Sequence, residues 1–211
     1  AQASYFNIAR SRGADDFDSL LPTDFQGVLV TDFYGVYTRR NDLLHAYCGA
    51  HMICRAKRIA EIEPHEVNIE FADKLIALYK KGEAATDWET RERVRTTFRW
   101  LTTERRFARR PELGLLRQRI RKRFEGIVAF LGRDDIPWNN NATERDLRPL
   151  CVYRKISRGT RSANGSSTLG HWMSITQTLR KNGIPLARWI PDALEAHRFQ
   201  RPLPSVLQNL P

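Results

Sequence analysis

One apolar run constrains the chain more than any other feature: Val28-Leu29-Val30, stopped abruptly by Thr31-Asp32. A short aliphatic run of this kind, opened by Gly27, reads as a strand buried on both faces, as in a parallel sheet. An ionised carboxylate avoids low dielectric, so one placed where such a strand ends needs a reason. In open α/β sheets that end is where active sites collect.

The neighbouring segments follow an α/β pattern. Residues 3–10 (ASYFNIAR) read as a short aromatic strand, and residues 43–48 (LLHAYC) as another. Asp15 to Leu21 forms one short helix before Pro22. Helical periodicity runs over 51–61, 66–80, 88–107 and 111–131, the last with a stripe of Leu115, Leu116, Ile120, Phe124, Ile127 and Val128. Three asparagines, Asn139 to Asn141, precede a further helix, with Asn140 or Asn141 as its N-cap. Residues 151–159 (CVYRKISRG) are expected to be extended and 162–168 (SANGSST) a loop. Helices over 169–181, closed by Asn182-Gly183, and over 186–197 follow, then an irregular Pro-punctuated tail.

Lys and Arg number 35 against 24 Asp and Glu, a formal charge of +11. The surplus favours polyanionic partners. Arginines crowd between Arg91 and Arg123 and again between Arg145 and Arg161, although in the first block a solvated helix face with Glu partners, such as Glu89 with Arg93, accounts for any single residue. Three cysteines (Cys48, Cys54, Cys151) make no disulfide framework. Cys48, His51 and Cys54 have a metal-like spacing, but structural zinc takes four ligands and Cys151 is distant. No stretch reaches the ~18 apolar residues of a membrane span, and the N-terminus lacks a signal-peptide pattern. These features point to a cytoplasmic protein with no membrane partner. The tryptophans, Trp100, Trp172 and Trp189 among them, are expected in the core.

Two acids stand out by context: Asp32 at its strand end, and Glu144 in the first turn of a helix beside Arg145 and Arg148. Carboxylates of this kind hold divalent cations for phosphoryl transfer when the fold brings them together. Their plain reading is a strand-end turn residue and a helix-start residue favoured by the dipole.

The order of motifs is more specific. It runs through Asp32 with Tyr34 and Tyr37; Cys48, Ala50 and His51; Asn140, Asn141, Glu144 and Arg145; Arg148 and Pro149; Arg154 and Lys155; and Asn182 with Gly183. This series resembles the IS66 family of transposases along nearly the whole chain. Two positions depart from the family pattern: Asn139 stands in place of the usual Asp, and Gly49 in place of the usual Trp.

The resemblance implies an α/β, RNase H-like core interrupted by a helical insertion and closed by C-terminal helices. Residues 1–62 are then later core strands, 63–133 the insertion, 134–198 the return to the core, and 199–211 a tail. It implies a triad of metal-binding acids, with Asp32 as the second and Glu144 as the third, holding Mg2+ or Mn2+. The first acid is expected on a strand before residue 1, since Asp15, Asp16 and Asp18 lie in a polar stretch, so the chain alone would be inactive. Arg145, Arg148, Arg154, Lys155 and Arg158 are candidate phosphate contacts, as is His51, which follows a core strand. The implied activity is DNA end cleavage and strand transfer in the bacterial nucleoid. Transposon ends and target DNA are the implied partners, with further copies of the chain and accessory transposition proteins. Two other readings fit the same residues: a non-catalytic DNA-binding remnant, and an RNase H-like nuclease or resolvase.

Overall fold

The computed structural model describes residues 3–40 and 42–207, which are mostly helical and include one small parallel sheet. The chain divides into two compact units, residues 21–140 and a second made of 1–20 with 141–211.

In the first unit, β1 (Val28–Thr31) pairs in parallel with β2 (Leu44–Tyr47), Val28 opposite Leu44 and Thr31 opposite Tyr47. The Cys48 amide extends the ladder by donating to the Thr31 carbonyl at 2.9 Å. Helix α2 (Gly49–Ile62) starts at once, and Pro64 separates it from α3 (Glu66–Ala84), whose His65 cap accepts from the Val67 amide. α4 (Trp88–Thr103) is capped by Asp87, which accepts from the Thr90 amide at 2.7 Å. α5 (Pro111–Lys122) opens on a proline, whose missing N–H costs nothing at a helix start. A short α6 (Phe124–Ile127) follows a break at Arg123.

All of these share one core. Ala46 and Tyr47 of β2 and Met52, Ala56 and Ile59 of α2 cluster with Phe71, Leu75 and Tyr79 of α3, Val94 and Phe98 of α4, and Leu113, Leu116 and Ile120 of α5. Residues from the 63–133 stretch thus share this core with β2 and α2. The expected helix over 88–107 stops at Thr103 ahead of a 3-10 turn at Arg105–Arg109, and that over 111–131 breaks at Arg123 into α5 and α6 before a 3-10 turn at Ala129–Leu131. In the stripe, Leu115 faces solvent at 60% exposure.

The second unit holds α1 (Ala14–Asp18), α7 (Asn141–Ser157), α8 (Ala163–Lys181) and α9 (Leu186–Arg198). Here three local expectations are corrected. Residues 151–157 are not extended but complete α7, with cations Arg154 and Lys155 at its C-terminal dipole. The stop comes at Arg158 and Gly159, both with positive φ (59° and 94°). Residues 163–168 are not a loop: Ser162 accepts from the Gly165 amide at 3.0 Å and starts α8.

The expected strand over 3–10 pairs with no other strand among the described residues. Its extended backbone lies along α8, where the Ser4 amide donates to Thr178 Oγ1 at 3.0 Å and the Phe6 amide to Ser174 Oγ at 2.9 Å. Small residues on α8 permit this approach, since a Cβ on Gly170 would come within 2.8 Å of the Phe6 carbonyl oxygen. The close approach is made at Gly170, whereas residues 163–168 of the same helix are exposed or half-buried.

α8 ends as the sequence predicts, with Gly183 at φ +65° and the Ile184 amide donating back to the Leu179 carbonyl at 3.0 Å. On α9 only Trp189 is buried, its indole N–H donating to the Pro204 carbonyl at 3.2 Å. Trp100 and Trp172, expected in the core, are 40% and 44% exposed.

Candidate functional site

Asp32 follows β1 directly and is half-buried. Its Oδ1 accepts the Tyr34 amide proton at 2.9 Å, the turn that aspartate forms with its own backbone two residues on. This bond fixes the carboxylate while Oδ2 keeps no hydrogen-bond partner among the described residues. Phe33, next along, stacks on Tyr47 of the neighbouring strand with ring centroids 4.9 Å apart, and Tyr34 meets Tyr37 edge-on at 5.5 Å. Aromatic packing therefore anchors the turn on both sides of the acid.

Because the strands are parallel, Cys48 lies at the same end of the sheet as Asp32. Cys48 is fully buried, and its Sγ accepts from the Asn140 amide at 3.4 Å. The Gly49 amide donates to the Trp138 carbonyl at 2.7 Å. Residues 138–140 are thus tied to the corner where β2 turns into α2. His51 sits in the first turn of α2, exposed, and Cys54 is exposed farther along. The buried Cys48 is a packing residue of the corner.

In the second unit, Glu144, Arg145, Arg148, Arg154 and Lys155 are all exposed on α7, and Arg158 is exposed just beyond it. At about 100° per residue, Glu144, Arg148 and Lys155 fall on one stripe of the helix, opposite Asp146. Asp146 is the one buried residue of α7, 6% exposed. Its Oδ2 lies 2.5 Å from Lys181 Nζ and accepts from Ser4 Oγ at 2.8 Å, and its Oδ1 accepts from Arg180 at 3.2 Å. Burial alone would raise its pKa. Lys181, Ser4 and Arg180 outweigh that and hold the carboxyl below the usual carboxylate range.

Asp146 thus turns α7 so that its acid-and-base stripe faces away from α8. Sequence reasoning passed over this residue, although an Asp two positions beyond a glutamate, on the opposite helix face, is a legible clue. Pro149 lies within α7 and removes one of its backbone donors.

Among the described residues no three His, Cys, Asp or Glu side chains come together as a ready-made metal site. No helix there is long and apolar enough to cross a membrane.

Comparison with known proteins gives this geometry a family context. The profile described as "Transposase IS66 family" matches residues 1–168. The chain is 34% identical over 83 residues to the uncharacterized Sinorhizobium fredii protein y4jO, covering 39% of this chain and 26% of that protein. It is 30% identical over 113 residues to a second uncharacterized protein of that organism, y4hP, covering 53% of this chain and 20% of the relative. The matched stretch is therefore about a quarter or less of either relative's length. No solved structure matches the chain.

Proposed function

The chain belongs to the IS66 transposase family, and on that premise we propose that it contributes two metal-binding acids, Asp32 and Glu144, to a DNA transposase. The reaction class is cleavage of DNA at the ends of an insertion sequence followed by strand transfer into target DNA. In this reading β1, β2 and α7 are parts of an RNase H-like core, and residues 63–133 are an insertion within it. The remaining acid of the triad is supplied from outside residues 1–211.

The observation that carries the reading is the carboxylate of Asp32, oriented by the Tyr34 amide with one oxygen left over at the C-terminal end of β1. A hard oxygen donor of this kind suits Mg2+ or Mn2+. Mg2+ is commonly held by one or two carboxylates, with waters and substrate phosphates completing its shell. A prebuilt cage of protein ligands is therefore not required. Further support comes from residues 138–140, tied to the same end of the sheet and leading directly into the helix that bears Glu144.

When bound, divalent cations would supply Lewis acidity to the attacking and departing oxygens of an in-line phosphoryl transfer. The chain's own side chains position those cations and the DNA. Asp32 offers Oδ2 from a fixed turn. Glu144 offers a carboxylate from the first helical turn. Arg148 and Lys155 share its stripe and Arg145 adjoins it, while Arg154, Arg158 and His51 present further exposed polar groups for phosphate. The DNA partners are element ends and target, with further copies of the chain and accessory transposition proteins completing the assembly.

The test is transposition of a marked element, flanked by its own ends, driven by the full-length reading frame in cells. Asp32→Asn and Glu144→Gln are each expected to abolish strand transfer while the protein still accumulates. Unchanged transposition by either variant sinks the assignment of that acid.

A further inference from the structure

Ion pairing sorts the crowded arginines of residues 91–123 into two groups. Arg91 pairs with Asp134, Arg93 with Glu89, Arg95 and Arg99 with Glu125, Arg106 with Glu70, and Arg110 with Glu63. Arg117 is buried and spends its donors on backbone carbonyls. Among the described residues Arg105, Arg109, Arg119, Arg121, Lys122 and Arg123 have no carboxylate partner. The last four fall in the run Arg119-Ile120-Arg121-Lys122-Arg123, with only Ile120 buried.

Two concavities flank this run, both within the first unit. One, of about 610 Å³, is lined by Arg99, Arg121, Lys122 and Arg123 together with His45 of β2 and the single acid Glu125. The other, of about 400 Å³, is lined by Arg55, Arg119 and the same Lys122 and Arg123. Lys122 and Arg123 therefore form a ridge between two basic depressions. Neither lining includes Asp32 or His51.

A helix C-terminus attracts cations, and the dipole of α5 accounts for some of this charge. It does not account for the rest. Arg123 lies past the helix, over the Tyr47 ring at 5.7 Å. His45 Nε2 donates to the Arg40 carbonyl, 2.8 Å away, while its Nδ1 is buried with no partner among the described residues.

We propose that the Lys122–Arg123 ridge and its two depressions form a second DNA-contact site on the helical unit, binding the phosphate backbone of a duplex without reading its sequence. The proposal rests on the transposase reading for the identity of the polyanion. The chemistry is that of phosphate positioning: Arg119, Arg121, Lys122 and Arg123, without carboxylate partners among the described residues, spread over two adjoining grooves beside the ion-paired Arg55 and Arg99, with counterion release supplying the affinity. Both depressions are open to solvent rather than enclosed as small-molecule sites usually are.

The test measures binding of the 211-residue chain to a random-sequence DNA duplex in a chelating buffer across a salt series. Lys122→Gln/Arg123→Gln is expected to weaken binding on the order of tenfold at physiological salt and to flatten the log–log salt slope by about 2, near 0.9 per lost phosphate contact. Arg105→Gln/Arg109→Gln removes the same charge from unpaired residues near the other end of α5, ~18 Å away by helical rise. It is expected to leave the slope nearly unchanged.

Equal losses in the two double variants, no loss in the first, or no DNA binding by the chain would overturn the proposal. Tighter binding to duplex RNA than to duplex DNA would overturn it as well. Lys122→Glu, at an exposed position, repeats the test without touching Arg123. Asp24→Asn, at an exposed acid outside the candidate site, should bind DNA as the unaltered chain does. Unchanged transposition by the Asp32 and Glu144 variants, with the groove behaving as expected, would sink only the catalytic assignment; a groove that fails while those variants lose transposition would sink only the groove.

Discussion

Gly49 has its Cα against the ring of Tyr79: a Cβ there would lie 2.3 Å from Cε1 and 2.4 Å from Cζ. Tyr79 itself is fully buried between Phe98, Phe130 and Trp138, with centroids 5.0, 5.6 and 5.2 Å away, so it has nowhere to retreat. Gly49→Ala is expected to cost about 1–3 kcal/mol by overpacking. Gly49→Trp, which restores the residue common in the family, should fold poorly alone and improve when paired with Tyr79→Ala. Denaturant unfolding of the two singles and the double measures the coupling. Additive costs would show that the ring and the glycine are not in contact.

The Tyr79 hydroxyl is buried with no hydrogen-bond partner among the described residues, and burial pushes its pKa far above the usual phenol range. It therefore stays neutral and contributes no compensated polar contact. Tyr79→Phe is expected to leave stability unchanged or raise it by up to about 1–3 kcal/mol, the cost of an unsatisfied buried group. A clear fall in midpoint would mean the hydroxyl has a partner.

Arg117 closes the C-terminal end of α4. Its Nη2 donates to the Thr102 and Glu104 carbonyls at 2.7 Å each, and its Nε to the Leu101 carbonyl at 3.3 Å. Burial, with Arg121 nearby, lowers its pKa, but an arginine keeps its proton at any ordinary pH. Arg117→Met leaves those carbonyls without their donor and is expected to destabilise by about 2–4 kcal/mol. Arg117→Lys, a single point donor in place of a fork, should recover only part of that. Equal stability of all three proteins in urea would count against the cap.

These features differ sharply in how visible they are along the chain. The strand at 28–31, the helices of the first unit and the Asn182-Gly183 stop follow from apolar periodicity and capping chemistry, which act within a few residues. Arg93 with Glu89 was visible for the same reason. Arg95 with Glu125 and Arg106 with Glu70 were not, because their partners are brought close only by packing between helices. That pairing is also what leaves the Arg119–Arg123 run unneutralised, although the run itself stands out as basic in the sequence.

Residues 3–10 and 163–168 misled for a related reason. An extended segment looks like a strand whether its donors go to another strand or to the Ser174 and Thr178 hydroxyls. Gly and Ser in 163–168 read as loop formers, yet the Ser162 cap starts a helix through them. At the candidate site Asp32 was legible as the polar stop of an apolar run, whereas Asp146 gained its importance only from Ser4 and Lys181, far away in the chain.

Asp146 has a pH signature. Its folded pKa is held below the unfolded value of ~3.9, so its stabilising contribution is fully present above that value and is lost as pH falls through the folded pKa. Asp146→Asn is expected to cost about 2 kcal/mol at pH 6, in the range of charge-assisted hydrogen bonds. The gap between the two proteins should narrow below about pH 4. Thermal unfolding of both across pH 2.5–7, as a roughly chosen acid series, checks this. A gap that stays constant to the lowest pH would mean the effect is not the charge.

Asp32→Asn separates orientation from charge at the candidate metal site. The amide oxygen of asparagine can still accept the Tyr34 proton, so the turn after β1 and its Phe33–Tyr47 stacking should survive. The other position becomes an NH2 group, a donor that repels a cation where Oδ2 stood. The variant is therefore expected to unfold within about 1 kcal/mol of the unaltered chain, as replacements outside a packed core generally do. Yet it should lose Mn2+ binding measured by paramagnetic broadening of nearby proton signals. Asp24→Asn, at an exposed acid before β1, serves as the control and should broaden normally. If Asp32→Asn broadens like the control, the carboxylate is a turn-forming residue alone, and the carboxylate's remaining oxygen has no cation to hold.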